Sequence, residues 1–310
     1  MSQKNTIKEA LNEQDGFHVW WRLLRPHTLT ASFIPVFVGS MAAYIVEQEL
    51  HILLFIAMLL ASILIQAATN MFNEYYDFVR GLDTDKSVGI SGTIVRDGIA
   101  PKTVLTIAFA FFGIAILLGI YISATTSWWI AGIGALSMGI GYLYTGGPIP
   151  IAYTPFGELT AGFLMGTVMI SISYFIQTKT VTTDVVLISV PVALLIGAIM
   201  LSNNIRDLDG DKISGRKTIA ILLGHKNAVI FLATLFIISY AWTIALVSIG
   251  ILPIWSLIVI LSAPKAIAVI KGFIGKTTPL EMMPAMINTG KTNSIYGFLL
   301  GISLLIGKFI

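Results

Sequence analysis

The chain has 310 residues, of which 56% are hydrophobic and 11% charged, with a mean hydropathy of +0.86 and a net charge of +3. A soluble domain carries about 25% charged residues, so a water-soluble globule is excluded and a polytopic membrane protein is implied. The lack of cysteine excludes disulfides, iron–sulfur clusters, thioether haem attachment and thiolate zinc sites.

Residues 1–27 are polar and have no apolar core of the kind a signal peptide needs. They are expected to form a cytoplasmic N-terminal segment of a single transmembrane domain covering 1–310. Apolar runs long enough to span a bilayer follow near 28–46, 51–72, 103–123, 127–145, 157–177, 184–204, 226–249, 252–271 and 293–309. The expected fold is therefore all-α, a bundle of about nine transmembrane helices.

Placing the N-terminus inside puts 1–27, 73–102, 146–156, 205–226 and 271–292 on one side. Of the lysines and arginines, only Lys179, Lys265 and Lys308 then fall elsewhere. Because basic residues concentrate in cytoplasmic loops, that side is expected to face the cytoplasm of the cell membrane.

Two stretches on that side stand out, N-M-F-N-E-Y-Y-D-F-V-R-G-L-D at 70–83 and N-N-I-R-D-L-D-G-D at 203–211. Each carries Asn-x-x-x-Asp and then a further carboxylate: Asn73, Asp77 and Asp83 in the first, Asn203, Asp207 and Asp211 in the second. On a helix, positions i, i+4 and about i+7 share a face, so each stretch can aim several oxygens at one point. Polar residues crowding a loop are ordinary, but two matched clusters at corresponding helix ends, four spans apart, suggest a weak internal repeat and one shared site. Asn70 and Asn204 belong to the same stretches. Charge of one sign at the ends of membrane-length helices implies a cation. An all-oxygen set suits Mg²⁺, which binds through a few carboxylates together with substrate phosphates.

Basic residues are interleaved with these acids: Arg80, Lys86 and Arg96 near the first stretch, Arg206, Lys212, Arg216 and Lys217 near the second, and Arg25 in R-L-L-R-P-H-T-L-T. Positive-inside anchoring accounts for part of them; the rest would neutralise phosphate oxygens, for which Arg has a planar fork. Phe72, Tyr75, Tyr76, Tyr142, Tyr144, Tyr153 and Phe156 gather at the same helix ends. An interfacial belt is the commoner explanation, and cation–π stabilisation of a carbocation is the other, with Tyr75 and Tyr76 the best placed. The stretch Y-L-Y-T-G-G-P-I-P-I-A-Y-T-P-F-G-E at 142–158 is expected to be a turn covering the site, ending on Glu158. The four histidines show no metal-ligand spacing, and no nucleotide phosphate loop is present.

These residues resemble the UbiA superfamily of intramembrane prenyltransferases, whose mark is two Asp-rich motifs on the second and sixth helices of a nine-helix bundle. The stretches R-P-H-T-L-T at 25–30, N-E-Y-Y-D-F-V-R-G-L-D at 73–83, Y-T-G-G-P-I-P at 144–150 and N-N-I-R-D-L-D-G-D-K-I-S-G-R-K-T at 203–218 resemble most the branch acting on 1,4-dihydroxy-2-naphthoate. The resemblance implies that Asn73, Asp77, Asp207 and Asp211 hold Mg²⁺, with Asp77, Asp83, Asp207 and Asp211 catalytic. It implies that Arg25, Lys86, Arg96, Arg206, Lys212 and Arg216 bind the diphosphate of a polyprenyl donor. Asn70, Tyr75, Tyr76, Tyr144, Glu158, Asn203 and Asn204 would line the place of the cation and acceptor.

On the same resemblance, an electron-rich naphthoate ring would take the prenyl group and lose CO₂, giving a demethylmenaquinol in menaquinone biosynthesis. Membrane lipid would receive the tail, and no nucleic-acid partner is expected. Which acidic residue would help deprotonate the acceptor is left open. The rival readings are a related enzyme acting on 4-hydroxybenzoate or haem, a CDP-alcohol phosphotransferase, whose compact D-G-x-x-A-R motif is missing, and a secondary transporter.

Overall fold

The structure is a computed structural model and describes residues 8–11, 13–85 and 87–309. A short helix α1 (Phe17–Leu23) precedes α2 (Pro26–Glu47), α3 (Ile52–Val79), α4 (Pro101–Thr125) and α5 (Trp129–Thr145). Then come α6 (Gly157–Thr178), α7 (Thr183–Arg206), a short α8 (Leu208–Ile213), α9 (Ile219–Ser248), α10 (Ile254–Phe273) and α11 (Pro279–Phe309). Among the described residues there is no strand, and each of the nine expected apolar runs lies in a long helix. Seven of these, α2, α3, α4, α6, α7, α9 and α10, are long and apolar enough to cross a membrane by length and composition. Of the other two, α5 has 17 residues, and α11 carries most of its polar residues in its first half.

Two helices run past the ends of their apolar runs. The apolar run of α3 fades near residue 72, yet the helix continues to Val79 because Asn70, Glu74 and Asp77 on its polar face are buried against protein. Residues 279–292, expected in a loop, form the first turns of α11. Thr278 and Glu281 cap that start reciprocally, each backbone N–H donating to the other's side chain at 3.4 Å, with Pro279 in the first turn. Thr289 and Thr292 are then fully buried, although a hydropathy scan reads them as loop.

Within the bundle α2 packs against α3, α6, α7 and α11, and each motif-bearing helix pairs with the next long helix, α3 with α4 and α7 with α9. The largest apolar core joins α2, α6, α7, α9, α10 and α11. A small core of Leu23, Ala68, Met71, Phe72, Ile94, Val104 and Ala108 supports the motif end of α3. Another, around Leu54, Ile122, Ile130, Ile172 and Ile176, closes the opposite end between α3, α4, α5 and α6. Between these last two lies a cavity of about 510 Å³.

Candidate active site

The first motif occupies the last two turns of α3. Asn73 and Asp77 are one turn apart on the same face; Asp77 is buried and Asn73 half-buried. After Val79 the chain turns back, the N–H groups of Leu82 and Asp83 both reaching the Asp77 carbonyl, at 2.9 and 3.3 Å. That turn brings Asp83 beside Asp77. One Asp83 oxygen, Oδ2, is buried with no hydrogen-bond partner. Burial raises the Asp83 pKa to about 7, and the nearby Asp77 and Glu74 carboxylates push the same way.

The second motif is built differently. α7 ends at Arg206, Asp207 leaves helical geometry at φ −94° and ψ 6°, and α8 restarts at Leu208. Asp207 is thus the joint between two helices, and the Asp211 N–H donates back to its carbonyl at 2.9 Å. Arg206 folds onto its neighbour: Nε donates to Asp207 Oδ1 at 2.7 Å and Nη2 to Oδ2, while Nη1 faces the sulfurs of Met283 and Met286 on α11.

Arg216 joins the two motifs. Its guanidinium donates to Asp77 at 3.0 Å and pairs with Asp211 at 3.1 Å, and it lies 4.8 Å above the ring of Tyr153. Burial works against the Arg216 charge, but Asp77 and Asp211 outweigh it and raise its pKa. Burial also raises the Asp211 carboxyl, to about 6, against the pull of Arg216. The expected covering turn is at this place too. Arg80 donates to the carbonyls of Thr145 and Gly147, the latter at 2.9 Å, and its guanidinium lies over Tyr76 and Tyr153. The Lys217 N–H donates to the Tyr153 carbonyl at 2.8 Å.

One turn inward, the polar residues Arg25, Asn70, Asn73, Asn203 and Tyr144 line the end of the cavity. Asn70 is fixed by donating to Leu24 O at 3.0 Å and to the Thr28 hydroxyl at 2.9 Å. Beyond them the walls turn apolar, with Met138 and Ala135 of α5, Leu164 and Met169 of α6, and Ile116 and Ile120 of α4. An apolar pocket with a few convergent polar groups at one end suits an amphipathic ligand.

The expected residues do not all gather here. Asp77, Asp83, Asp211 and Arg216 form one cluster, with Asp207 held beside it by Arg206. Asn203, Asn73, Asn70, Arg25 and Tyr144 face the cavity. Glu158 lies next to it, accepting from Asn204 Nδ2 at 2.8 Å, with its Oε2 buried and unpartnered. Tyr75 and Tyr76 stand outside the cavity lining; Tyr76 is hydrogen-bonded to Tyr142. Arg96 is spent on Glu13 and on the Ser87 carbonyl, 2.9 Å away. Lys212 is exposed on α8, and Lys86 lies outside the described residues.

Sequence reasoning gave no special place to Tyr153, which sits between two guanidinium groups, or to Glu74, which holds the loop after α3. The Thr93 hydroxyl and the Ile94 N–H donate to Glu74 at 2.6 and 3.1 Å. The density of small residues in α5, as in A-G-I-G-A-L-S-M-G-I-G, was the available signal for the cavity wall.

The model of the UbiA prenyltransferase family matches residues 32–293, and the chain belongs to that family. Among curated relatives it is 56% identical over 309 residues to 1,4-dihydroxy-2-naphthoate octaprenyltransferase of Bacillus subtilis, covering 99% of both chains. Among solved structures, the apo UbiA homolog from Aeropyrum pernix has a TM-score of 0.68 at 17% identity, over 91% of this chain and 98% of that one. The UbiA homolog from Archaeoglobus fulgidus bound to DMAPP and Mg²⁺ has a TM-score of 0.59 at 18% identity, over 90% and 97%. The fold is therefore that of UbiA proteins, a multi-pass membrane protein.

The fit of a divalent cation can be judged from the donors themselves. They are all oxygen, and Asp83 Oδ2 is buried without a partner. Among the described residues no three His, Cys, Asp or Glu are close enough to hold a metal by themselves. Mg²⁺ does not need such a cage, since it keeps several waters and takes its remaining ligands from substrate phosphate. The residues fit Mg²⁺ arriving with a diphosphate.

Proposed function

We propose that the chain transfers a polyprenyl group from polyprenyl diphosphate to 1,4-dihydroxy-2-naphthoate with loss of CO₂, giving a demethylmenaquinol for menaquinone synthesis. What carries the reading is the convergence of both acidic motifs, joined by Arg216, just beyond the polar end of a largely apolar cavity. The full-length relative in Bacillus subtilis, a 1,4-dihydroxy-2-naphthoate octaprenyltransferase, supports the choice of acceptor. The DMAPP and Mg²⁺ bound by the Archaeoglobus homolog support the donor class and the metal. The chain acts as one domain over 1–310, in the cell membrane with the motif end facing the cytoplasm, as its basic residues favour.

Asn73, Asp77 and Asp83 from one side, and Asp207 and Asp211 from the other, would hold Mg²⁺ together with the diphosphate. When bound, Mg²⁺ supplies positive charge to the oxygens that become the leaving group. Arg216 passes from Asp77 and Asp211 to the phosphates, and Arg25 meets them from the cavity end. The donor C1–O bond breaks with its electron pair kept by pyrophosphate, while a ring carbon supplies the pair for the new C–C bond. The carboxylate leaves as CO₂ and returns its bonding pair to the ring, so charge balances with no net proton released. The apolar walls receive the isoprenoid and keep water from the allylic cation. A transporter reading needs its charged residues near the bundle's middle; here they sit at the ends of α3 and α7.

The test is turnover in nanodiscs with polyprenyl diphosphate and 1,4-dihydroxy-2-naphthoate, with and without Mg²⁺, following CO₂ and prenylated product. Mg²⁺-dependent product with matching CO₂ is expected. Product with 4-hydroxybenzoate and none with the naphthoate would move the acceptor, and no turnover of any prenyl diphosphate would overturn the reading.

A further inference from the structure

The loop between α3 and α4 is held from two sides. On its inner side Gly89, at φ +82°, lies flat on the guanidinium of Arg206, where a Cβ would collide, and Thr93 and Ile94 bind Glu74. On its outer side Arg96 has a side chain with no exposed surface, and its guanidinium is gripped by both oxygens of Glu13, Nε at 2.9 Å from Oε2. Gly92, at φ +74°, passes directly over that guanidinium. The next residue, Asp97, is also buried and pairs with Lys8 at 2.7 Å and Arg22 at 2.6 Å. The partner charges Lys8, Glu13 and Arg22 all lie before α2, and none of them is among the site residues named above.

A buried guanidinium is tolerated only while paired, and removing one partner costs far more than the pair contributes. Buried ion pairs therefore tie the N-terminal segment to the loop. Through Gly89 the loop covers Arg206, and Arg206 donates to both oxygens of Asp207. We infer that Glu13 and Arg96 are positioning residues for donor binding, pinning the α3–α4 loop onto Arg206 and so fixing Asp207 beside the first motif. Neither touches the diphosphate or the acceptor. Loss of the pin lifts the loop, frees the Arg206–Asp207 pair to reorient and weakens capture of the diphosphate, while the cavity and the acceptor remain as they were.

The inference rests on the prenyl-transfer reading, so its test has two arms. In the first, Glu13→Gln is compared with wild type and with the charge-keeping Glu13→Asp. The neutral variant should raise KM for the polyprenyl diphosphate about tenfold, leave kcat and the acceptor KM within about twofold, and shift Mg²⁺ dependence to higher concentration. The Asp variant should recover part of that loss. In the second arm, hydrogen exchange over 87–97 should quicken in Glu13→Gln whether or not the enzyme turns over. Gly89→Ala acts at the other face of the loop and should give the same KM signature should Glu13→Gln fail to fold.

Unchanged donor KM in a wild-type-active background would overturn the inference, as would equal losses in kcat and both KM values. Failure of wild-type turnover would sink the functional reading instead, leaving the exchange arm to decide whether the pin exists.

Discussion

The first acidic motif ends one continuous helix, whereas the second is a helix broken at its central aspartate. Asp77 lies within α3 and is buried, and its counter-charge comes from Arg216, far away in sequence. Asp207 lies at the joint of α7 and α8 with its side chain 32% exposed, and its counter-charge is its own neighbour Arg206. The carboxylates of the two motifs repeat, but the cations that balance them do not. On the proposed reading, two similar motifs make unequal halves of one site, the first balanced by the distant Arg216 and the second by its neighbour Arg206.

The largest expected effect comes from neutralising either half. Asp77→Asn and Asp207→Asn should each lower kcat/KM by about a hundredfold or more, equivalent to ~2.7 kcal/mol of transition-state stabilisation, measured as CO₂ release. A large loss in one variant only would mean that a single motif carries the reaction. Arg216→Gln sharpens the contrast, because it strips the counter-charge from the first half and leaves Arg206 with Asp207. Removing one partner of a buried pair costs about 3–5 kcal/mol, so the metal-free melting temperature should fall clearly. Added Mg²⁺ should then raise it by more than in wild type; equal Mg²⁺ shifts would mean Arg216 does not stand where the cation goes.

Smaller effects are expected away from the carboxylates. Gly134 lines the cavity with open space beside it. Gly134→Leu should lower kcat/KM about tenfold for long prenyl donors and within about twofold for short ones, a difference that disappears if the tail lies elsewhere. Arg80→Ala removes the donor to Thr145 and Gly147 and should cost ~1.5–3 kcal/mol. That loss would appear in the melting temperature, with little change in kcat.

The helices were legible because lipid-length apolar runs leave few alternatives, and the motifs because carboxylates at such helix ends are costly. The starts and ends of helices were less so. α11 begins at Pro279 and buries Thr289 and Thr292 ahead of the apolar run that starts at 293, and α3 runs on to Val79 through a polar face that protein covers, so hydropathy alone sets both helices too short. Pairing was the least legible feature. Arg96 lies among phosphate-binding candidates in sequence yet binds Glu13, and Arg216 spans two motifs, because which arginine meets which carboxylate is decided by loop geometry that residue spacing does not encode. Tyr153 looked like any interfacial tyrosine until two guanidinium groups were found against its ring.

The most direct test of one site shared by two unequal motifs is a double-mutant cycle. Donor kcat/KM would be measured for Asp77→Asn, Asp207→Asn and the double variant at fixed Mg²⁺. If the motifs grip one diphosphate between them, the double variant loses no more than about threefold beyond the worse single one. Losses that multiply, so that the double variant falls by the product of the two, would show independent sites and contradict the account.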